Sequence, residues 1–274
     1  VKSLTRLYLS TKGLLQRYVA THRRSGYVRK MAQYCSTYLK WYENLDYQIG
    51  NNGELHVLQA LKGANLKVIF DVGANVGEWT LAARAANPAA AIHCFEIIDH
   101  TRTTLKQQTQ HDPAITIGDY GLLDACGEIE VKTFAGQSDL ATVYGDYPHL
   151  KNDGVIKCKV STGDHYMREH EVEQIDFLKI DVEGAEGRVL RGFEQTIAAG
   201  RVAVIQFEYG QPNLASGMML RELYSLLMSH GYSIGKIYPN YVDFRPYHMN
   251  YEDYRAANYL AVRAERADLI ERLV

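Results

Sequence analysis

The sequence predicts an α/β protein built on a mostly parallel sheet, with helices on both faces and a helical extension at its N-terminus. Three observations predict it. From Leu66 onward, short apolar runs of strand length alternate with stretches of helical periodicity, the pattern of a sheet buried on both sides. The run Val68-Ile-Phe-Asp-Val-Gly-Ala-Asn-Val-Gly-Glu-Trp79 reads as a buried strand, a glycine turn and the start of a helix. The first 45 residues carry helical spacing and no strand pattern.

In chain order, Leu4, Leu7, Tyr8, Thr11, Leu15 and Tyr18 form a helical stripe weakened by Gly13. Val28, Met31, Ala32, Cys35, Leu39 and Tyr42 form a second, and Ser25-Gly26 is the break between them. Asn51-Asn52-Gly53 marks a turn, followed by a short helix over Glu54–Leu61. Strands are expected at Val68–Val72, Ala91–Phe95, Ile115–Ile117, Ile129–Phe134, Ile156–Val160, Ile175–Ile180, Val202–Phe207, Ser233–Ile237 and Tyr259–Val262. Helices are expected at Glu78–Ala86, Thr101–Gln110, Glu186–Ala199 and Met218–His230. The division that follows is a basic helical extension, residues 1–45, and a sheet domain, residues 46–274.

The chain has 274 residues, 46% hydrophobic and 23% charged, enough for one large domain with an added segment. No apolar run is long enough to span a bilayer. The stretch Leu14–Val19 is interrupted by Arg17 and does not read as a secretory signal. Cys35, Cys94, Cys126 and Cys158 form no C-x-x-C pair, so no zinc or redox motif is signalled and a reducing, cytoplasmic setting is expected. Net charge is −2, but residues 1–42 hold nine Lys or Arg and no Asp or Glu. The expected use of this arm is packing against the acidic remainder or a partner subunit, which would make a homo-oligomer. Peripheral contact with a membrane surface is the second reading. No nucleic-acid partner is expected.

Asp71, Gly73, Asn75 and Gly77 build the first candidate site. Glycines let the backbone turn sharply and approach a ligand, and the following helix directs its amide N–H groups toward it. The turn is not the G-x-G-x-x-G dinucleotide fingerprint, because Asn75 stands at the middle glycine. It suits a ligand without phosphates, with Asp71 near an ammonium group. Glu96 lies 19 residues beyond Gly77, where a carboxylate accepts hydrogen bonds from a ribose diol. Asp119, after the third strand, is placed to accept from an adenine amino group, or simply makes a turn.

These segments resemble the FkbM methyltransferase family: the DVGAN-x-G turn, the Phe95-Glu96 pair, and above all Ile175-Asp-Phe-Leu-Lys-Ile-Asp-Val-Glu-Gly-Ala-Glu186. The resemblance runs from about Tyr42 to Arg263 and includes Ile205-Gln-Phe-Glu208 and Asn258-Tyr-Leu-Ala-Val-Arg263. It implies a Rossmann-like class I methyltransferase sheet of seven strands, the last antiparallel. It also implies S-adenosylmethionine as donor and a sugar, polyketide or glycoconjugate hydroxyl as acceptor. By position, Asp71, Gly73, Asn75 and Gly77 become the donor turn and Glu96 the ribose ligand. Gly163 and Gly187-Arg188 depart from the family pattern, on the acceptor side.

Methyl transfer to a hydroxyl needs alignment and help with the proton. Asp181 and Glu183 follow a core strand and, if the chain stays extended, point the same way. Glu208 ends the neighbouring strand. The three carboxylates would hold Mg²⁺, Asp181 and Glu208 being the ligands, or one would act as base. Alternatively, Glu183 and Glu186 cap the next helix. His149, His165 and His248 are other candidate bases. Tyr238, Tyr241, Tyr247, Tyr251 and Tyr254 are a candidate acceptor wall. Rival readings are N- or C-methylation of a peptide, a nicotinamide-dependent oxidoreductase and a non-catalytic cofactor-binding module. Against the oxidoreductase reading, Tyr232 and Lys236 have the Tyr-x-x-x-Lys spacing but lie on an expected strand.

Overall fold

The computed structural model describes residues 2–134, 141–144, 152–255 and 257–274. The chain divides into two units, Val1–Leu45 and Asp46–Val274.

The first unit is two helices, α1 (Lys2–Thr21) and α2 (Gly26–Tyr42). The break falls at Ser25, whose hydroxyl accepts the Val28 N–H at 3.2 Å and so satisfies one of the unpaired donors at the start of α2. Among the described residues no helix is long and apolar enough to cross a membrane.

The second unit begins with α3 (Glu54–Ala60), β1 (Val68–Val72), α4 (Glu78–Ala86), β2 (Ala91–Phe95), α5 (Asp99–Thr109) and β3 (Ile115–Gly118). A small insert follows: β4 (Gly121–Leu123), β5 (Gly127–Phe134) and β6 (Asn152–Thr162). The chain returns through α6 (Gly163–Glu169), β7 (Ile175–Ile180), α7 (Glu186–Gly192), α8 (Glu194–Ala198), β8 (Val202–Tyr209), α9 (Pro212–Ser216) and α10 (Leu220–Ser229). It closes with β9 (Tyr232–Tyr238), β10 (Tyr241–Phe244), β11 (Ala257–Arg263) and α11 (Ala267–Leu273).

The main sheet has the order β10-β9-β11-β8-β7-β1-β2-β3. The strands from β3 to β8 pair in parallel, and β11 lies antiparallel between β8 and β9. This is the expected seven-stranded methyltransferase arrangement, extended by one short edge strand, β10, which turns back on β9. After β1, the chain first builds outward through β2 and β3, then returns to build β7 and β8 on the other side. The crevice between β1 and β7 is therefore the switch point where ligands bind in such sheets.

Both faces of the sheet are buried, which is why its central strands are mostly apolar. On one face Ile69, Ile92, Phe177, Val204 and Leu260 pack with residues of α3, α4 and α11. On the other, Phe70 meets Phe95, Tyr166 and Phe193 at ring distances of 5.6, 5.5 and 6.1 Å. Each fully buried side chain of this size contributes roughly 1.5–3 kcal/mol.

Three expectations are corrected. The strands at Ile129–Phe134 and Ile156–Val160 do not join the main sheet: as parts of β5 and β6 they pair with each other, beside β4, in a separate three-stranded sheet. The expected helix Glu186–Ala199 is two helices meeting at Phe193. There Gly192 packs so closely on β4 that a Cβ would lie 1.9 Å from the Leu123 carbonyl oxygen. Finally, β4, β10, α6, α9 and α11 were not expected; all are seven residues or fewer, too short for periodicity to reveal.

Candidate active site

One cavity of about 680 Å³ opens over the C-terminal ends of β1, β2, β7 and β8. Its walls come from five places: the Gly73–Asn75 turn, Glu96–Ile98, the second sheet at Gly121–Leu123 and Val131, the turn from Asp181 to Ala185, and Glu208 on β8. Asp46, Tyr47, Asn52, Glu54, Gln211, Pro212 and Asn258 also line it, with Val72, Phe95, Ala141 and Val143.

The glycine turn is tied to β2: the Phe95 carbonyl accepts N–H groups from Gly73 and Ala74 at 2.9 and 3.1 Å. Gly73 has φ +83°, and a Cβ there would sit 1.7 Å from the Asp181 carbonyl oxygen. Glycine at 73 is thus required both by conformation and by the close approach of β1's turn to the end of β7. Gly77, the cap residue of α4, stands outside the cavity lining and faces Leu105.

Glu96 lines the cavity. One of its oxygens accepts the Asn75 N–H at 2.9 Å and the other accepts the Ile98 N–H at 2.8 Å. A carboxylate has about four acceptor positions, so capacity for a ligand remains on both oxygens. Burial raises its pKa, against these two hydrogen bonds.

Asp71 and Asp119 lie outside the cavity lining. Asp71 is fully buried behind the turn rather than in the cavity wall. It accepts the Thr80 hydroxyl at 2.6 Å and faces the Lys179 ammonium at 3.5 Å, contacts that brace the turn from behind. Asp119 is exposed in the bend after β3 and lies outside the cavity lining.

Asp181, Glu183 and Glu208 each offer a carboxylate oxygen within 4.8 Å of the others. The route to this cluster differs from the extended chain expected from the sequence. The chain turns after Asp181, with Glu183 at φ +52° and Gly184 at φ +96°. Left-handed backbone at a glutamate costs about 1 kcal/mol or more, and several contacts hold it. The buried Glu186 carboxylate accepts N–H groups from Val182 and Gly184 at 3.2 and 3.1 Å and the Asn213 side-chain amide at 3.0 Å. The Thr142 hydroxyl donates to the Glu183 carbonyl at 2.9 Å. Glu186 therefore braces the turn before the helix, and its burial pushes its pKa up to about 7.

Asp181 and Glu208 become neighbours through sheet register. β7 and β8 pair in parallel with Ile180 opposite Phe207, which brings the next residue of each together. Burial, followed by the negative charges of Asp181, Glu183 and Glu186, raises the Glu208 pKa well above the ordinary carboxylate value. Asp181 keeps 39% of its side chain exposed to the cavity side and accepts a hydrogen bond from Lys179 Nζ at 3.1 Å. Burial alone would lower the Lys179 pKa, but Asp181, Asp71 and Glu54 outweigh it and raise it. Lys179 is thus a buried cation shared by three carboxylates.

Several contributors escaped the sequence reading. Lys179 was legible in principle, since it stands two residues before Asp181 on one strand and so on the same face. Tyr47 lies in the cavity wall, its pKa raised by burial and then by Glu208 and Glu183. Glu54 is buried, held by Asn52 Nδ2 at 2.7 Å and Gln206 Nε2 at 2.5 Å, a contact made across 152 residues that no local pattern announces. The five tyrosines proposed as an acceptor wall are not in the lining. Tyr238 and Tyr241 stack on each other at 5.0 Å, Tyr254 packs on Tyr209 at 5.1 Å, Tyr247 donates to Glu252, and Tyr251 lies under Arg245. His165 and His248 are exposed and outside the cavity lining, and His149 lies outside the described residues. Gly163 and Gly187 are packing positions: a Cβ would meet the Phe193 ring at 2.2 Å and Met218 Cε at 2.1 Å.

Residues 71–234 match the model of the methyltransferase FkbM domain. Over 175 residues the chain is 25% identical to 2-O-methyltransferase NoeI of Sinorhizobium fredii, covering 59% of this chain and 71% of that protein. Over 201 residues it is 25% identical to the AMB antimetabolite synthetase AmbE of Pseudomonas aeruginosa, covering 61% of this chain but only 10% of that much longer protein. The solved structure of methyltransferase FkbM from Methylobacillus flagellatus is 16% identical, with a TM-score of 0.47 over 72% of this chain and 43% of that one.

Proposed function

The chain belongs to the FkbM family of S-adenosylmethionine-dependent methyltransferases, and on that premise we propose that it methylates a hydroxyl oxygen of a sugar, a glycoconjugate or a polyketide-type natural product. The observation that carries this reading is the convergence of Asp181, Glu183 and Glu208 in the same cavity as the Gly73–Asn75 turn and Glu96. The relative NoeI, by its name a 2-O-methyltransferase, supports oxygen as the acceptor atom.

Bound S-adenosylmethionine supplies an electrophilic methyl group on a positively charged sulfur. Glu96 holds the donor's ribose hydroxyls with the lone pairs its two backbone contacts leave free. The glycine turn lets the donor's amino-acid portion approach the main chain. Asp181 takes the acceptor's hydroxyl proton as the carbon–oxygen bond forms and the carbon–sulfur bond breaks. Lys179 fixes the orientation of that carboxylate through its hydrogen bond. Burial and the neighbouring negative charges push Glu208 toward its protonated form, which relieves the repulsion among the three acids. The second sheet, through Leu122, Leu123 and Val131, supplies an apolar wall that excludes water from the transfer.

The same three oxygens also suit a hard cation such as Mg²⁺, which would relieve the repulsion in place of the Glu208 proton. The base reading expects transfer to continue unchanged in excess chelator; abolition by chelator and rescue by Mg²⁺ would replace it with the metal reading. Calorimetry should detect binding of the donor and of its demethylated product. Labelled donor, incubated with hydroxylated acceptors, should yield an acid-stable methyl ether. Tight NADH binding without donor binding would overturn the assignment.

A further inference from the structure

We propose that the N-terminal helical unit docks the protein on an anionic lipid surface. The unit combines two properties. Residues 1–42 contain nine Lys or Arg and no Asp or Glu. Of the described side chains in residues 12–42, Val28 alone is buried. The exposed ones include a continuous aromatic face on α2. Tyr27, Met31, Tyr34, Tyr38 and Trp41 recur at spacings of four, three, four and three residues, which places them on one side of a helix. Tyr27, Tyr34 and Trp41 are 71, 73 and 75% exposed. On α1, Leu14, Leu15, Tyr18 and Val19 are exposed as two pairs four residues apart. Lys30 lies at a helical position beside the aromatic face, and Arg29 and Lys40 lie on the other side of the same helix.

An exposed aromatic face on an arm with nine cations and no acid needs a partner that offers apolar depth and negative charge together. The boundary between lipid headgroups and acyl chains offers both, and Tyr and Trp are the side chains that settle there. A second copy of the arm would bring two wholly basic surfaces together. The folded domain is acidic, but its exposed large apolar residues, such as Leu55, Leu81, Ile156, Leu214 and Met228, come singly or in a pair from separate elements. Among the described residues they form no run comparable to that on α2. A nucleic acid would match the charge but not Leu14, Leu15, Val19 and Leu39.

The chain contains two tryptophans, Trp41, exposed, and Trp79, buried, so fluorescence isolates the arm. The whole chain is mixed with vesicles of phosphatidylcholine alone and of phosphatidylcholine with phosphatidylserine. The expected results are a blue shift of the Trp41 emission and co-sedimentation with the anionic vesicles. Affinity should be at least about tenfold higher than for neutral ones and should weaken as salt rises. Tyr34→Ser with Trp41→Ser should lose co-sedimentation while keeping helical content and donor affinity; Arg29→Glu with Lys30→Glu should lose the preference for phosphatidylserine. Failure of the unmodified chain to sediment with anionic vesicles overturns the proposal. So does a concentration-dependent dimer, or an oligonucleotide complex, that is lost in the aromatic variant while vesicle binding is absent.

Discussion

Three carboxylates, each in a different setting, give the residue scale its tests. Asp181 is the half-exposed member of the cluster and the one tied to Lys179, so Asp181→Asn should cut turnover by about 10²–10⁴-fold. Donor affinity by calorimetry should hardly change; full activity would remove Asp181 from the chemistry. Glu96 faces the cavity with both oxygens already ordered by backbone, and Glu96→Ala should weaken donor binding by roughly 1–3 kcal/mol. An unchanged dissociation constant in a folded variant would place the ribose elsewhere. Glu186 is buried and its pKa is raised to about 7. Between the unfolded value near 4.5 and about 7, the unfolded chain gives up this proton while the folded one keeps it. The stability from this group is therefore complete at acid pH and lost as pH rises through about 7, a total of about 3 kcal/mol. Denaturant melts from pH 5 to pH 8 should show the decline, and Glu186→Gln should flatten it.

The turns that end β1 and β7 decide the site at the scale of elements. The run Asp181-Val-Glu-Gly-Ala-Glu186 reads in sequence as strand end and helix start. Its left-handed Glu183 and Gly184 aim the carboxylates into the cavity, and Glu186 and Thr142 hold it in that shape. Gly73 is the opposing contact. Gly73→Ala places a methyl group 1.7 Å from the Asp181 carbonyl oxygen at φ +83°, so β1's turn and the end of β7 must separate. The expected cost is about 2–4 kcal/mol in a denaturant melt, with turnover falling further than stability explains because Asp181 moves. A variant that melts like the parent would show that the two turns tolerate separation. Elements with strong periodicity, β1, β2 and α4, were expected at the boundaries they adopt. The short ones, β4 and β10, were not, because three or four residues carry too little pattern to stand out from a loop.

The chain comprises two units, a basic helical one and the sheet domain that follows it. Removing residues 1–43 should leave the thermal midpoint of the domain and its methyl transfer to a water-soluble acceptor intact, while abolishing sedimentation with anionic vesicles. Loss of the folded domain on truncation would assign the arm a structural role instead.

The sequence by itself determined the fold class, the position of the glycine turn and the identity of the acidic cluster. Each of these is written in local signals: apolar strands buried on both faces, glycines where the backbone must turn, and carboxylates at strand ends. Only the tertiary structure decided which carboxylates face a ligand. Asp71 and Glu96 look equivalent along the chain, yet one is sealed beneath the turn against Lys179 and the other opens into the cavity. Likewise the tyrosines near the C-terminus pack outside the cavity lining, and Tyr47, from the start of the domain, lines the cavity instead. Burial and contact across more than a hundred residues, as between Glu54 and Gln206, arise from sheet order, and sheet order is a property of the assembled chain that no window of the sequence contains.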